Sequence, residues 1–223
     1  MGAKLPVLAE ISGLGPAEAR VWSLRRADFE ALAKLERRLD DHRVLLVTGG
    51  DGLAGPVALA LAGAAGAAGR RTALIECDLA RPRLAAETGL APTPGLHEYL
   101  RWDATPAQIL QPLALAGPAA GRATSPLICV AGGEPATNSA TLLDSESYRH
   151  AVKKLRRAYD LVVLSGPALG PDRSSLEPLA ATADTLLACV SPAQVSGRGA
   201  RAIRATVKRL PVSPLGSIVV GES

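Results

Sequence analysis

Aliphatic runs alternate with amphipathic, helix-period segments along most of the chain. Residues 23–41 (SLRRADFEALAKLERRLDD) are charged, and Leu24, Leu32, Leu35 and Leu39 form a stripe near helical spacing. Arg43 to Thr48 reads as a buried strand. A glycine-rich turn follows, then an Ala/Gly helix over about 55–68 that ends at Gly69, a residue suited to a C-terminal cap. RTALIECD is a second strand, PLICVAGG a third, LVVLSG a fourth, DTLLACVS a fifth and LGSIVVG a sixth. Short helices are predicted at 96–101 and 106–111. Longer ones are predicted over SESYRHAVKKLRRAYD, with Tyr148, Val152, Leu155 and Tyr159 on one face, and over SGRGARAIRATVKRL. Strands that alternate with helices imply βαβ units and one mostly parallel sheet of six to eight strands with helices on both faces. Residues 1–20, with their Pro and Gly, read as an irregular lead-in to a single α/β domain over 21–223.

Composition sharpens this. Aromatic residues make up only 3% of the 223, so the core must be aliphatic, as in parallel sheets covered on both faces. So few aromatics also argue against a stacking platform for single-stranded nucleic acid. Cys77, Cys129 and Cys189 each sit in or beside an aliphatic run, are far apart in sequence, and read as small buried residues rather than disulfide or metal ligands. MGAKLPVLAE has no apolar run of signal-peptide length. The longest apolar run, 53–69, reads as a buried helix rather than a membrane span. A soluble, cytoplasmic protein is expected, with any membrane attachment made through a partner.

The stretch VTGGDGLAGPVALALAG carries the first candidate chemistry: strand end, glycine turn, helix start. Phosphate-binding loops are built this way, because backbone N–H groups at a helix N-terminus point at the anion. Such loops add a lysine and a Ser/Thr that holds Mg²⁺. Read back from Gly69, those two positions fall on Ala54 and Gly55; shifted by one, on Leu53 and Ala54. Pro56 has no N–H to donate and suits a helix start, and Asp51 adds negative charge where an anion would sit. Each lost charge-assisted hydrogen bond is worth about 1.5–3 kcal/mol. The losses together remove about 5 kcal/mol, roughly a thousandfold in affinity. The candidate nucleotide site is therefore degenerate: Gly49, Gly50, Asp51, Gly52, Ala54, Gly55 and Pro56 in the turn, with Glu76, Asp78, Arg81 and Ser165 from later strands.

Those later residues carry a resemblance. TALIECDLARPRLAAETGL, GLHEYL and the long block VAGGEPATNSATLLDSESYRHAVKKLRRAYDLVVLSGPAL, taken in order, resemble the bacterial tyrosine kinases of capsular and exopolysaccharide assembly. These are MinD/ParA-like P-loop ATPases. The likeness spans about residues 5–220 and implies a P-loop NTPase-like three-layer fold. Against the family pattern, Glu76 stands for the first of two aspartates and Asp78 for the second, and Ser165 stands at the Walker B aspartate, followed by Gly166, Pro167 and Ala168. The loop is about two residues short. An oligomerising helix pattern reads EALAKLE, with Ala33 and Glu36 where arginines are expected, and no tyrosine cluster precedes Ser223.

The resemblance implies a catalytically impaired relative, a pseudo-ATPase that scaffolds or regulates a membrane-embedded polysaccharide chain-length or export protein, with possible homo-oligomerisation. No catalytic residue, metal site or cofactor is expected, and ATP/Mg binds only weakly if at all. Two rivals stay open. One is a weak ATP/ADP sensor, or residual kinase, in which Arg81 or Arg83 takes the lysine's role. The other is a ParA-like DNA- or membrane-surface-binding module that uses the stripe Arg201, Arg204 and Lys208, or the run RHAVKKLRR. A solvated helix face is the plainer reading of both stripes and speaks against a nucleic-acid partner.

Overall fold

The aliphatic runs become strands because Val, Ile and Leu fit a pleated surface buried on both faces. The computed structural model describes residues 5–12, 26–50, 52–114, 126–170 and 173–221. The strands are β1 (Val7–Ile11), β2 (Val44–Gly49), β3 (Thr72–Glu76), β4 (Gln111–Leu113), β5 (Leu127–Val130), β6 (Leu161–Ala168), β7 (Thr185–Val190) and β8 (Pro214–Val220). They form one eight-stranded sheet in the order β1-β8-β7-β2-β6-β3-β5-β4, in which only β4 runs antiparallel. The helices are α1 (Arg26–Glu36), α2 (Ala54–Ala67), α3 (Leu84–Thr88), α4 (Leu96–Leu100), α5 (Pro106–Ile109), α6 (Ser139–Leu143), α7 (Glu146–Ala158), α8 (Leu176–Thr182) and α9 (Gly197–Val207). The result is a three-layer α/β fold.

Two apolar clusters lie on the two faces of the sheet. Residues of α1, α2 and α3 pack in one, and residues of α4 to α9 in the other. Helix α2 is buried nearly all round, between the sheet and α1. Its Ala and Gly side chains permit that close approach. At 14 residues it is about 21 Å long, short of the ~30 Å hydrocarbon core of a bilayer. Among the described residues no helix is long and apolar enough to cross a membrane.

At the end of the sheet opposite the glycine turn, Arg70 joins four segments. Its guanidinium donates to Glu36 Oε1 at 3.0 Å and to the carbonyls of His42 (3.1 Å) and Asp160 (2.9 Å), with a longer contact to Leu39 O. Glu36, where the family resemblance expects an arginine, is buried against it. Beside this joint, Asp160 accepts from the Arg71 backbone N–H and from its Nε and Nη2.

Three local expectations change. The lead-in is not irregular throughout, because Val7–Ile11 pairs parallel with β8, tied by Ser217 N–H to Pro6 O and Gly221 N–H to Ile11 O. That partner lies some 200 residues away, so no local pattern announces the strand. The helix expected over 23–41 is α1 followed by a 3₁₀ turn over Arg37–Leu39. β4 was not anticipated; its Gln111 bonds both backbone groups of Ala91.

Helix α4 ends in an unusual cap. Trp102 N–H donates to Tyr99 O, and Asp103 N–H to Glu98 O. These are the paired bonds of a Schellman motif, which places Trp102 at the left-handed position normally held by glycine. Its φ is +68°, and its side chain is 81% exposed. A bulky residue in this region costs about 1 kcal/mol relative to glycine.

Trp102→Gly is therefore expected to stabilise the fold by about 1 kcal/mol in urea denaturation; unchanged or lower stability contradicts the assigned cap. The Arg71 bonds hold the Asp160 carboxyl down at about 2. A depressed carboxyl stabilises the fold above its ordinary value near 3.8, and that contribution is lost as pH falls towards about 2. Asp160→Asn should flatten the fall in stability between these pH values, and a slope equal to the parent's would refute the assignment.

Candidate functional site: a cleft over the glycine turn

Ligand clefts of open α/β sheets lie beyond the carboxyl ends of the strands, and the candidate site sits there. β2 ends at Gly49, where a Cβ would stand 2.1 Å from Cys189 O on β7, so no side chain fits. Gly50 N–H donates to the same carbonyl at 2.9 Å. Gly52 has φ +73°, and α2 then starts at Ala54 without a side-chain cap. Pro56, in the first turn, offers no donor. Both close approach and backbone handedness thus demand glycine here, independently of any ligand.

The cleft over this turn encloses about 40 Å³, room for a few waters or one small anion. The turn and α2 form one wall. Glu76, Asp78, Arg81, Arg83, Leu84 and Glu87 form another, and Ser165, Gly166 and Ala168 close the back.

Glu76 is buried. Its Oε1 accepts from the N–H groups of Arg83 (2.5 Å) and Leu84 (2.8 Å), at the start of α3, and its Oε2 accepts from Gly132 N–H (2.8 Å), after β5. Burial raises its pKa, the three backbone bonds oppose that rise, and the charge of Asp78 adds to it. Glu87 is likewise raised, first by burial and then by Glu76, with Arg83 pulling the other way. A Cβ on Gly52 would stand 3.5 Å from Arg83 Nη1, and one on Gly55 would stand 3.7 Å from Glu87 Oε2. A cation and an acid of α3 therefore flank the glycine turn. Asp78 lies 3.8 Å from Arg81. Ser165 pairs with Glu76 in the β3–β6 register, and its carbonyl accepts from Cys77 N–H. Acids and arginines are interleaved among the described lining residues, unlike the net positive basin that favours a polyphosphate.

No protein-family model and no curated protein sequence matches the chain. Solved structures do match in shape. The tyrosine kinase domain of BceF aligns over 97% of this chain and 93% of its own, with TM-score 0.79 and 18% identity. The kinase domain of the Escherichia coli tyrosine kinase ETK gives 97%, 90%, 0.79 and 20%. MinD from Pyrococcus horikoshii, solved with Mg-ADP, aligns over 79% and 69%, with TM-score 0.61 and 17% identity.

The chain has the bacterial tyrosine kinase fold. The resemblance seen in the sequence thus holds at the level of architecture.

In this kinase fold, Gly50, Gly52, Ala54, Gly55, Pro56, Glu76, Asp78, Arg81 and Ser165 all line one cleft, although up to 115 residues separate them. Gly49 lies just beneath, in the sheet, and Asp51 falls outside the described residues. Arg201, Arg204 and Lys208 sit apart, on and after α9, and do not line the cleft. Sequence reasoning missed Glu87 and Leu84. The i, i+4 spacing of Arg83 and Glu87 was the available clue. All three cysteines are buried, and burial raises their thiol pKa values, that of Cys129 to about 12.

Glu76→Ala removes the shared acceptor of three backbone donors and is expected to cost about 3 kcal/mol or more. Glu76→Asp, one methylene shorter, cannot reach both sides and should cost about 1–3 kcal/mol. Urea midpoints of the two variants read this directly, and losses below about 0.5 kcal/mol in both would contradict the structural weight given to the three Glu76 bonds.

Proposed function

We propose that this chain is a pseudo-ATPase: a tyrosine-kinase-like domain that scaffolds or regulates capsular or exopolysaccharide assembly without phosphoryl transfer. One observation carries the reading. The Glu76 carboxylate, on the strand where the family resemblance places a metal-site acid, accepts from the backbone N–H groups of Arg83, Leu84 and Gly132. A carboxylate in that role orders a loop and has little capacity left for Mg²⁺.

The other groups around the cleft agree. A Mg-nucleotide site needs a lysine and a hydroxyl at the helix start; Ala54 and Gly55 stand there. It needs an acid behind the metal, and Ser165 stands there. The residues present do not fit the group, so no chemical step is assigned to it. Phosphoryl transfer depends on positioning and on metal and lysine electrostatics, so losing all three contacts removes the reaction while leaving the fold's surfaces intact. The partner class, a membrane-embedded chain-length or export protein, follows from the family resemblance. The sensor alternative draws on Arg83, whose guanidinium lies beside Gly52.

Calorimetric titration with Mg-ATP and Mg-ADP, up to millimolar, separates the readings. No heat of binding is expected. A Kd tighter than about 100 μM, lost in Arg83→Ala, would replace the scaffold reading with the sensor.

A further inference from the structure

Away from the cleft, the charge of the molecule is unevenly placed. Helix α7 carries five Lys/Arg against one Glu, and α9 with its following turn carries five and no acid. The two segments together exceed the +4 of the whole chain, so the remainder is net acidic. Both lie on the same side of the sheet, with their apolar residues in one core cluster. They lead into β6 and β8, which are three strand spacings apart, about 14 Å. Arg149 and Arg156 are paired with Asp144 and Asp184. Lys153, Lys154, Arg157, Arg201 and Lys208 are exposed and have no ion pair among the described residues.

Trp102 belongs to the same layer, since Leu96 and Leu100 of its helix pack in that cluster. It is exposed in a backbone conformation that glycine would occupy at lower cost. Tryptophan is a side chain suited to the headgroup level of a bilayer, where one end is apolar and the other wet.

We infer that the α4–α9 face docks on an anionic lipid surface, with the α7 and α9 cations held at the headgroups and Trp102 at the interface. A planar, diffuse negative charge matches cations spread over two separate helices, whereas a peptide would engage one groove. Duplex DNA would satisfy the cations but leave Trp102 unused. The inference does not depend on the reading of the cleft.

Co-sedimentation of the full chain with phosphatidylcholine vesicles, with and without phosphatidylglycerol, tests it. Binding is expected only with the anionic lipid and should weaken steeply with salt. Lys153→Glu/Lys154→Glu/Arg157→Glu should bind at least about a hundredfold more weakly. In a Trp22→Phe background, the emission of Trp102 should shift to the blue on binding. Trp102→Gly should fold at least as well as its parent and bind more weakly. Absence of binding at low salt, equal binding to neutral vesicles, or binding without an emission shift would overturn the proposal. So would a preference for duplex DNA over anionic vesicles.

Discussion

Helix α2 is the constraint on which the remaining architecture rests. It has almost no exposed surface, because the sheet lies on one side and α1 on another. Larger side chains would separate those layers, and overpacking a filled core costs about 1–3 kcal/mol. Alanine and glycine solve the spacing but give the helix little capping and no side-chain chemistry. The turn that feeds α2 inherits the same restriction. Gly49 must pass against β7 and Gly52 must take a positive φ before the helix starts. Gly49 and Gly52 are thus accounted for by packing and backbone handedness alone.

Around that loop, one buried charge organises the cleft. A buried carboxylate is costly unless hydrogen bonds replace its water, and Glu76 finds three in segments far apart in the chain. The bonds fix the start of α3 and the end of β5 relative to β3, and so set where Arg83 and Glu87 sit over the turn. At the opposite end of the sheet, Arg70 collects carbonyls and Glu36 in the same way, with the sign of the charge reversed. A buried carboxylate and a partly buried guanidinium therefore join the loops at the two ends of the sheet. A glutamate at position 36 is explained by that joint.

Much of the fold was legible locally. β2, β3, β5, β6, β7 and β8, and helices α2, α7 and α9, follow from aliphatic runs and helical spacing, because each buries its own apolar pattern. β1 and β4 escaped because they are edge strands whose partners lie far away in sequence or run antiparallel. Their few residues carry no periodicity long enough to read. The candidate residues of the cleft were legible as types, but Glu76 was open to two roles, metal ligand or structural carboxylate. Its identity does not show the three backbone N–H groups that it accepts from; those came only with the fold.

By itself, the sequence determined the layer order of an α/β chain, an aliphatic core with almost no aromatics, and a glycine turn without lysine or hydroxyl. These are properties of composition and spacing, which act over a few residues. Only the tertiary structure decided that Glu76 meets Gly132 and the start of α3, that Glu36 faces Arg70, and that Trp102 shares a layer with α7 and α9. Such contacts depend on where separate segments are brought by the sheet, and no local pattern encodes that distance.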